Sequence, residues 1–230
     1  QRSKRTHQYM RLSKLWSKCP KWSSTHKGAD FHLNIPNLYV DHILSINRRQ
    51  LDLLGIHKTH PPSLDWMTAK IDHLNLRQPY FILIPGTSPG QEHKKWPAKN
   101  YGAIAKHIYS LGIMPVVLGT VHETKDFETI QSICPQAQSL LGKTSIFDIP
   151  QIARNAVGAV GNDTGPMHFC YFSRCPSLYL FSYSSSPELC GPTEAHGAVL
   201  KEKDLTDLSV ARVEKALKFK KNNFQKFLLP

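Results

Sequence analysis

From Tyr80 onward the chain alternates short apolar runs with stretches whose apolar residues recur at helical spacing. Tyr80-Phe81-Ile82-Leu83-Ile84 is unbroken and ends at Pro85-Gly86, which predicts a strand buried on both faces. Residues 100–111 carry Tyr101, Ile104, Ala105 and Ile108 on one face, and Gly112 follows as a stop, which predicts a helix. The same reading expects strands over 114–118, near 139–141, over 156–160 and over 177–181. Helices are expected over 124–134, 145–155, 166–173 and 210–219. Strands alternating with helices predict an α/β fold, with a parallel, doubly wound sheet. No internal repeat is visible.

Residues 1–76 read differently. They are irregular, basic and rich in aromatics and histidine, with one amphipathic helix expected over 40–54 and stopped by Gly55. Pro61-Pro62 marks a turn or linker. The pattern therefore divides the chain into an N-terminal region over 1–76, an α/β domain over 77–217 and a basic tail over 218–230.

The chain has 230 residues, 40% of them hydrophobic, enough for one large domain or one and a half ordinary ones. No apolar run approaches the ~20 residues that span a bilayer. The start, Gln1-Arg2-Ser3-Lys4-Arg5, is basic with no apolar segment after it, so it does not read as a signal peptide. The first residue is not methionine, and a fragment or processed chain is expected. Five cysteines (Cys19, Cys134, Cys170, Cys175, Cys190) form no C-x-x-C pair, which points to reduced thiols and a cytoplasmic protein. Twelve histidines are scattered without ligand spacing, and no metal site is expected.

The formal net charge is +12, with much of the excess at the two ends. Such a balance attracts anions: nucleic acid, acidic headgroups or phosphorylated substrates. Trp16 and Trp22 lie among lysines, but no nucleic-acid motif accompanies them, so no specific nucleic-acid partner is expected.

Candidate chemistry gathers in three loops at expected carboxyl ends of strands. The first is Pro85-Gly86-Thr87-Ser88-Pro89-Gly90, followed by Lys94-Lys95-Trp96-Pro97; the second is Gly119-Thr120-Val121-His122-Glu123. The third, Gly161-Asn162-Asp163-Thr164-Gly165-Pro166-Met167-His168, links a strand to a helix. Hydroxyls and a lysine suit phosphate oxygens, a carboxylate suits ribose hydroxyls, and a helix N-terminus suits an anion. Open α/β sheets bind ligands at this edge.

With these residues in view, the chain resembles glycosyltransferase family 9, the bacterial lipopolysaccharide heptosyltransferases. The resemblance rests on P-G-T-S-P at 85–89, K-K-W-P at 94–97, L-G-x-x-x-E over 118–123, G-K-T-S-I at 142–146 and G-N-D-T-G-P-M-H at 161–168. It covers roughly residues 78–217, and Gln1-Arg2-Ser3, Trp16, His42 and residues 50–55 look like the latter part of the family's N-terminal domain. It implies a GT-B-type, Rossmann-like C-terminal domain preceded by an incomplete N-terminal domain. Thr87 and Ser88 would contact the donor diphosphate, and Lys94 would take the catalytic part of stabilising the leaving phosphate. Glu123 would bind the ribose and Thr144 would line the adenine pocket. Asp163 would bind the donor sugar, Thr164 and Gly165 would hold phosphate, and His168 would support that turn.

The family transfers a heptose from an ADP-sugar donor to the lipopolysaccharide core or lipid A, inverting the anomeric centre, with no metal and no cofactor. Peripheral association with the inner face of the inner membrane would follow from the acceptor. The family's glycine-rich first strand and loop, with an aspartate thought to be the base, has no match here, so a truncated enzyme impaired on its own is expected.

Duller and rival readings attach to the same residues. Gly86, Gly119 and Gly165 fit turns with unusual dihedrals, Asp163 fits a helix cap, His168 fits a core histidine, Trp96-Pro97 fits a structural helix entry, and Lys95 fits a solvated side chain. Gly86-Thr87-Ser88-Pro89-Gly90 formally satisfies G-x-S-x-G, but Pro89 has no N–H to build an oxyanion hole. The non-enzymatic alternative is a basic module that binds acidic glycolipid or nucleic acid.

Overall fold

A computed structural model describes residues 4–13, 15, 21–35, 41–60 and 62–220. The motif residues Gln1 to Ser3, Trp16, Cys19 and the tail beyond 220 lie outside the described residues. The chain divides into two compact units, one of residues 1–61 with 188–190 and one of residues 62–187 with 191–230.

The smaller unit contains a helix over Lys4–Ser13, a parallel bridge between Ser23–Ser24 and Phe31–His32, and a helix over Ile43–Asp52. The last of these answers the amphipathic pattern expected over 40–54. Its first turn is capped by His42, whose Nδ1 accepts from the Leu44 N–H at 3.2 Å, and it buries Ile46.

The larger unit is built on six parallel strands: β1 (Tyr80–Ile84), β2 (Met114–Val117), β3 (Gln138–Ser139), β4 (Gly158–Asn162), β5 (Ser177–Phe181) and β6 (Gly197–Lys201). They are interleaved with α1 (Ala98–Ser110), α2 (Thr124–Ile133), α3 (Asp148–Asn155), α4 (Gly165–Phe172) and, after β6, α5 (Val210–Ala216). The spatial order is β3-β2-β1-β4-β5-β6. From β1 the chain moves outward to β2 and β3, then returns to lay β4 on the other side of β1. This reversal opens a crevice at the carboxyl ends of β1 and β4.

The four central strands β1, β2, β4 and β5 are largely apolar because they bury both faces, whereas the edge strands β3 and β6 are only half-buried. Phe81, Leu83, Val117, Val160, Leu178 and Leu180 share one core with Tyr101, Ile104 and Ile108 of α1, Ile130 of α2 and Val213 of α5. The alternate residues face α3 and α4: the Tyr80 hydroxyl donates to the Ile152 carbonyl at 2.7 Å, and the Tyr179 hydroxyl to the Met167 carbonyl at 2.9 Å. Gly161 lets β4 and α4 close up, since a Cβ there would sit 2.7 Å from Ile84 Cβ and 2.9 Å from Met167 Cγ.

Helix ends differ from the sequence reading by up to three residues, α3 starting at Asp148 and α5 ending at Ala216, and strands β4 and β6 also differ. The strand expected over 156–160 runs two residues later, so Gly161 and Asn162 belong to the sheet rather than to the turn. Residues 156 and 157 are apolar because they are buried on the approach to β4, not because they pair within it. The edge strand β6 has three apolar residues in sequence between Gly197 and Lys201, a pattern too short to stand out. Residues 62–76, grouped by sequence with the N-terminal region, pack in the larger unit: Arg154 donates to the carbonyls of Leu64 and Met67, and Gln138 to that of Leu74.

Asn162, fully buried at the end of β4, holds the crevice together. Its Oδ1 accepts from the Trp96 N–H and the Tyr101 hydroxyl, both at 3.0 Å. Its Nδ2 donates to the carbonyls of Pro85 at 2.8 Å and Gly86 at 3.3 Å. All four hydrogen-bonding sites of the amide are thus used, which is what its burial demands. Trp96, itself buried, donates Nε1–H to the Leu208 carbonyl at 2.9 Å and packs edge-on against Tyr101, so Trp96-Pro97 orders the entry to α1.

Replacing Asn162 with alanine strands the Trp96 N–H and the Pro85 carbonyl in the interior and should cost about 3 kcal/mol. Urea unfolding should show a lower midpoint with an unchanged slope; an unshifted midpoint would contradict the role given to this side chain. A second outcome concerns alkali. Burial pushes the Cys175 thiol from 9.0 up to about 12, and burial also raises Cys170 and Tyr80. The folded state holds these protons more tightly than the unfolded chain does. For Cys175 that contribution to stability is therefore complete below the unfolded thiol value and is lost as pH rises from 9.0 toward about 12. Thermal melts between about pH 8 and about pH 11 should show a falling Tm. The fall should be shallower in Cys175→Ala.

Candidate functional site

The crevice is walled by the loops that leave β1, β2 and β4. Together they enclose a cavity of about 450 Å³ lined by Thr87, Ser88, Lys95, Thr120, Glu123 and Thr164, among others. That volume is in the range of small-ligand sites. Hydroxyls, carboxylates and an ammonium therefore converge on one space, the ammonium being that of Lys95 and not of Lys94.

Glu123 sits at the back of this space, 8% exposed. It ends a short 3₁₀ turn over Val121–Glu123, capped by Thr120 in a reciprocal capping box. Its Oε2 accepts from the Thr120 N–H at 2.7 Å and from the Thr120 hydroxyl at 2.8 Å. Its Oε1 lies 3.0 Å from where a Cβ on Gly86 would stand, and Oε2 lies 3.0 Å from the same point on Gly119. Gly86 thus leaves room for Glu123, and Gly119 leaves room for Glu123 and for Leu141, whose Cδ2 would lie 2.9 Å from a Cβ there. Neither has a positive φ, which corrects the reading of Gly86 and Gly119 as turn residues with unusual dihedrals.

Beside the cavity lies a second polar group. Asp163, 10% exposed at its side chain, has Oδ2 3.8 Å from Lys94 Nζ and Oδ1 3.8 Å from His168 Nε2. The His168 ring is held on its far side by Tyr179, with Nδ1 3.3 Å from the phenol oxygen and the rings 5.5 Å apart. His168 is thus neither a plain core histidine nor a free one, being one third exposed and oriented by a buried tyrosine.

The helix that follows begins without a side-chain cap. Thr164 occupies the cap position in extended conformation and its hydroxyl does not bond to the first turn. Asp163 is therefore not the cap, contrary to its duller reading. A Cβ on Gly165 would meet nothing within 4 Å, so no neighbour among the described residues requires a glycine there. In the first turn of α4 Pro166 has no N–H and the Met167 N–H donates to the Thr164 carbonyl at 3.1 Å, while Thr164 and Pro166 lie on the cavity wall.

Of the residues picked from sequence, Thr87, Ser88, Glu123 and Thr164 line the cavity. Lys94, Asp163 and His168 form the adjoining cluster, and Gly165 starts α4. Thr144 lies in the loop between β3 and α3, half-buried, and is not among the residues lining the cavity. Lys95 is not a plain solvated side chain: its Nζ pairs with Asp126 Oδ2 at 2.5 Å and it lines the cavity. Ser88 is followed by Pro89, Gly90 with φ +77°, and a 3₁₀ turn over Glu92–Lys94, so no nucleophile elbow forms. Sequence reasoning gave Asn162, Thr120 and Asp126 no role. Asn162 stood inside the motif, and an amide after an apolar strand was the available signal.

A family model described as glycosyltransferase family 9 (heptosyltransferase) matches residues 40–218. The lipooligosaccharide heptosyltransferase 2 of Haemophilus influenzae is 25% identical over 126 residues, covering 51% of this chain and 36% of that protein. Among solved structures, the E. coli ADP-heptose LPS heptosyltransferase II is similar with a TM-score of 0.59 at 21% identity, over 69% of this chain and 54% of that one. The family 9 glycosyl transferase of Veillonella parvula gives a TM-score of 0.69 at 19% identity, over 86% and 66%. The E. coli heptosyltransferase WaaC with ADP gives 0.65 at 18% identity, over 81% and 58%. The chain thus spans about a third of the curated relative's length and between half and two thirds of these structures. These structures share its parallel α/β fold, and with the family model matching well over half of its residues, the chain belongs to glycosyltransferase family 9.

Proposed function

We propose that this chain supplies the donor side of an inverting glycosyltransferase that moves a heptose from an ADP-activated donor to a lipopolysaccharide core or lipid A acceptor. The observation that carries the reading is the buried Glu123 carboxylate, fixed by Thr120 at the back of a cavity whose rim bears Thr87, Ser88 and Thr164. A carboxylate with one oxygen held and the other making no hydrogen bond among the described residues suits two adjacent ribose hydroxyls. The relatives add chemical direction: one is named for ADP-heptose and LPS, another was solved with ADP.

In this reading Thr87, Ser88 and Thr164 hold the diphosphate, and the positive end of the α4 dipole faces its charge. Lys94, tethered to Asp163 at a loose 3.8 Å, offsets the negative charge that grows on the leaving ADP as the sugar–oxygen bond breaks. Asp163 and His168 meet the sugar, and Thr144 contributes to the adenine end from the neighbouring loop. A single displacement by the acceptor hydroxyl inverts the anomeric carbon. A cytoplasmic location and peripheral contact with the inner membrane fit the net charge of +12 and the acceptor class. Among the described residues no helix is long and apolar enough to cross a membrane.

Titration calorimetry on the chain should show binding of ADP and ADP-heptose in preference to UDP. Glu123→Ala should weaken ADP about tenfold, near 1.4 kcal/mol. Absence of any ADP binding would overturn the donor-side assignment. Lys94→Ala in a catalytically competent form should lower kcat by at least about a hundredfold while changing ADP affinity less.

A further inference from the structure

We infer that Lys95, positioned by Asp126, binds the phosphate nearest the nucleoside, a part distinct from that of Lys94. The inference rests on the nucleotide reading of the cavity and deepens it.

Lys94 and Lys95 are consecutive, yet their ammonium groups go to different walls. Lys94 ends the 3₁₀ turn and points to Asp163 at the end of β4. Lys95 follows in extended conformation, φ −87° and ψ 128°, and points to Asp126 in the first turn of α2. Of the two, Lys95 is the one that lines the cavity, and its partner Asp126 belongs to the helix that directly follows Glu123. If Glu123 holds the ribose, the phosphate attached to that ribose comes to the Lys95 side. The phosphate attached to the sugar comes to the side of Lys94 and α4.

The pairing with Asp126 places Lys95 without exhausting it. An ammonium has three N–H donors, and the 2.5 Å contact to Asp126 Oδ2 uses one. Asp126 is a firm anchor because a carboxylate in the first turn of a helix is favoured by the helix dipole. Both side chains remain partly exposed, 27% and 21%, so the pair does little as a brace for the fold, whereas a pre-oriented ammonium at a cavity wall is effective toward an entering anion. The other carboxylate on the rim, Glu92, is engaged by the Gly90 N–H at 3.2 Å.

The test compares adenosine, AMP and ADP by titration calorimetry on the chain. The wild type should bind AMP more tightly than adenosine. Lys95→Met should reduce that preference about tenfold while leaving adenosine affinity unchanged. Lys95→Arg should restore most of it, and Asp126→Asn should lower it by less than Lys95→Met. Lys94→Met should instead reduce the gain from AMP to ADP. An AMP preference that survives Lys95→Met would overturn the inference and leave the nucleotide reading standing. A wild type that binds none of the three would overturn both. Should Lys95→Met lose adenosine through misfolding, Lys95→Gln against Lys95→Arg decides on the same ratio.

Discussion

The site depends on one buried amide. Asn162 joins the end of β4 to the loop after β1 and to the entry of α1, and these are the segments that diverge at the sheet's reversal. A crevice at such a point is mechanically weak, because the two central strands send their chains in opposite directions. Four hydrogen bonds from one side chain close it at its base. An apolar residue could fill the same volume but would leave carbonyls and N–H groups unsatisfied, so the fold cannot hold this geometry by packing alone. Trp96 extends the tie to the loop before α5, and Tyr101 brings in the helix.

On that base the polar groups are arranged in two neighbouring sets. The cavity proper has Glu123 at its back and hydroxyls at its rim, while Asp163 links Lys94 and His168 beside it. The separation follows from the backbone. The loop after β1 reaches across both β2 and β4, and its 3₁₀ turn and extended exit send adjacent lysines to opposite sides. A single loop thereby contributes one lysine to each set.

Much of the sheet was legible in the sequence because its central strands are buried on both faces and read as largely apolar runs. The five helices of the larger unit were legible from their spacing and stops. What escaped was decided by tertiary contact. Ala156 and Val157 looked like strand because burial and pairing leave the same apolar trace, and β6 was hidden by its shortness at the edge. At the site, residue types and loop positions could be read, but partners could not. Lys95 and Asp126 are thirty-one residues apart and meet only because α1 and α2 pack together. The dull reading of Gly86 and Gly119 failed for a similar reason: the space at Gly86 is taken by Glu123 from another loop, and that at Gly119 by Leu141 and Glu123.

That last contact has a consequence for how the site is gauged. Glu123 is a spacer as well as a charge, since its carboxylate occupies the room that side chains at Gly86 and Gly119 would need. Through Gly86 that carboxylate fills the space between the loops after β1 and β2. An aspartate would keep the charge but leave one methylene of that space unfilled. A glutamine would keep the length but give up one acceptor. The filling between the loops and the chemistry at the back of the cleft thus rest on the same residue, and neither can drift without the other.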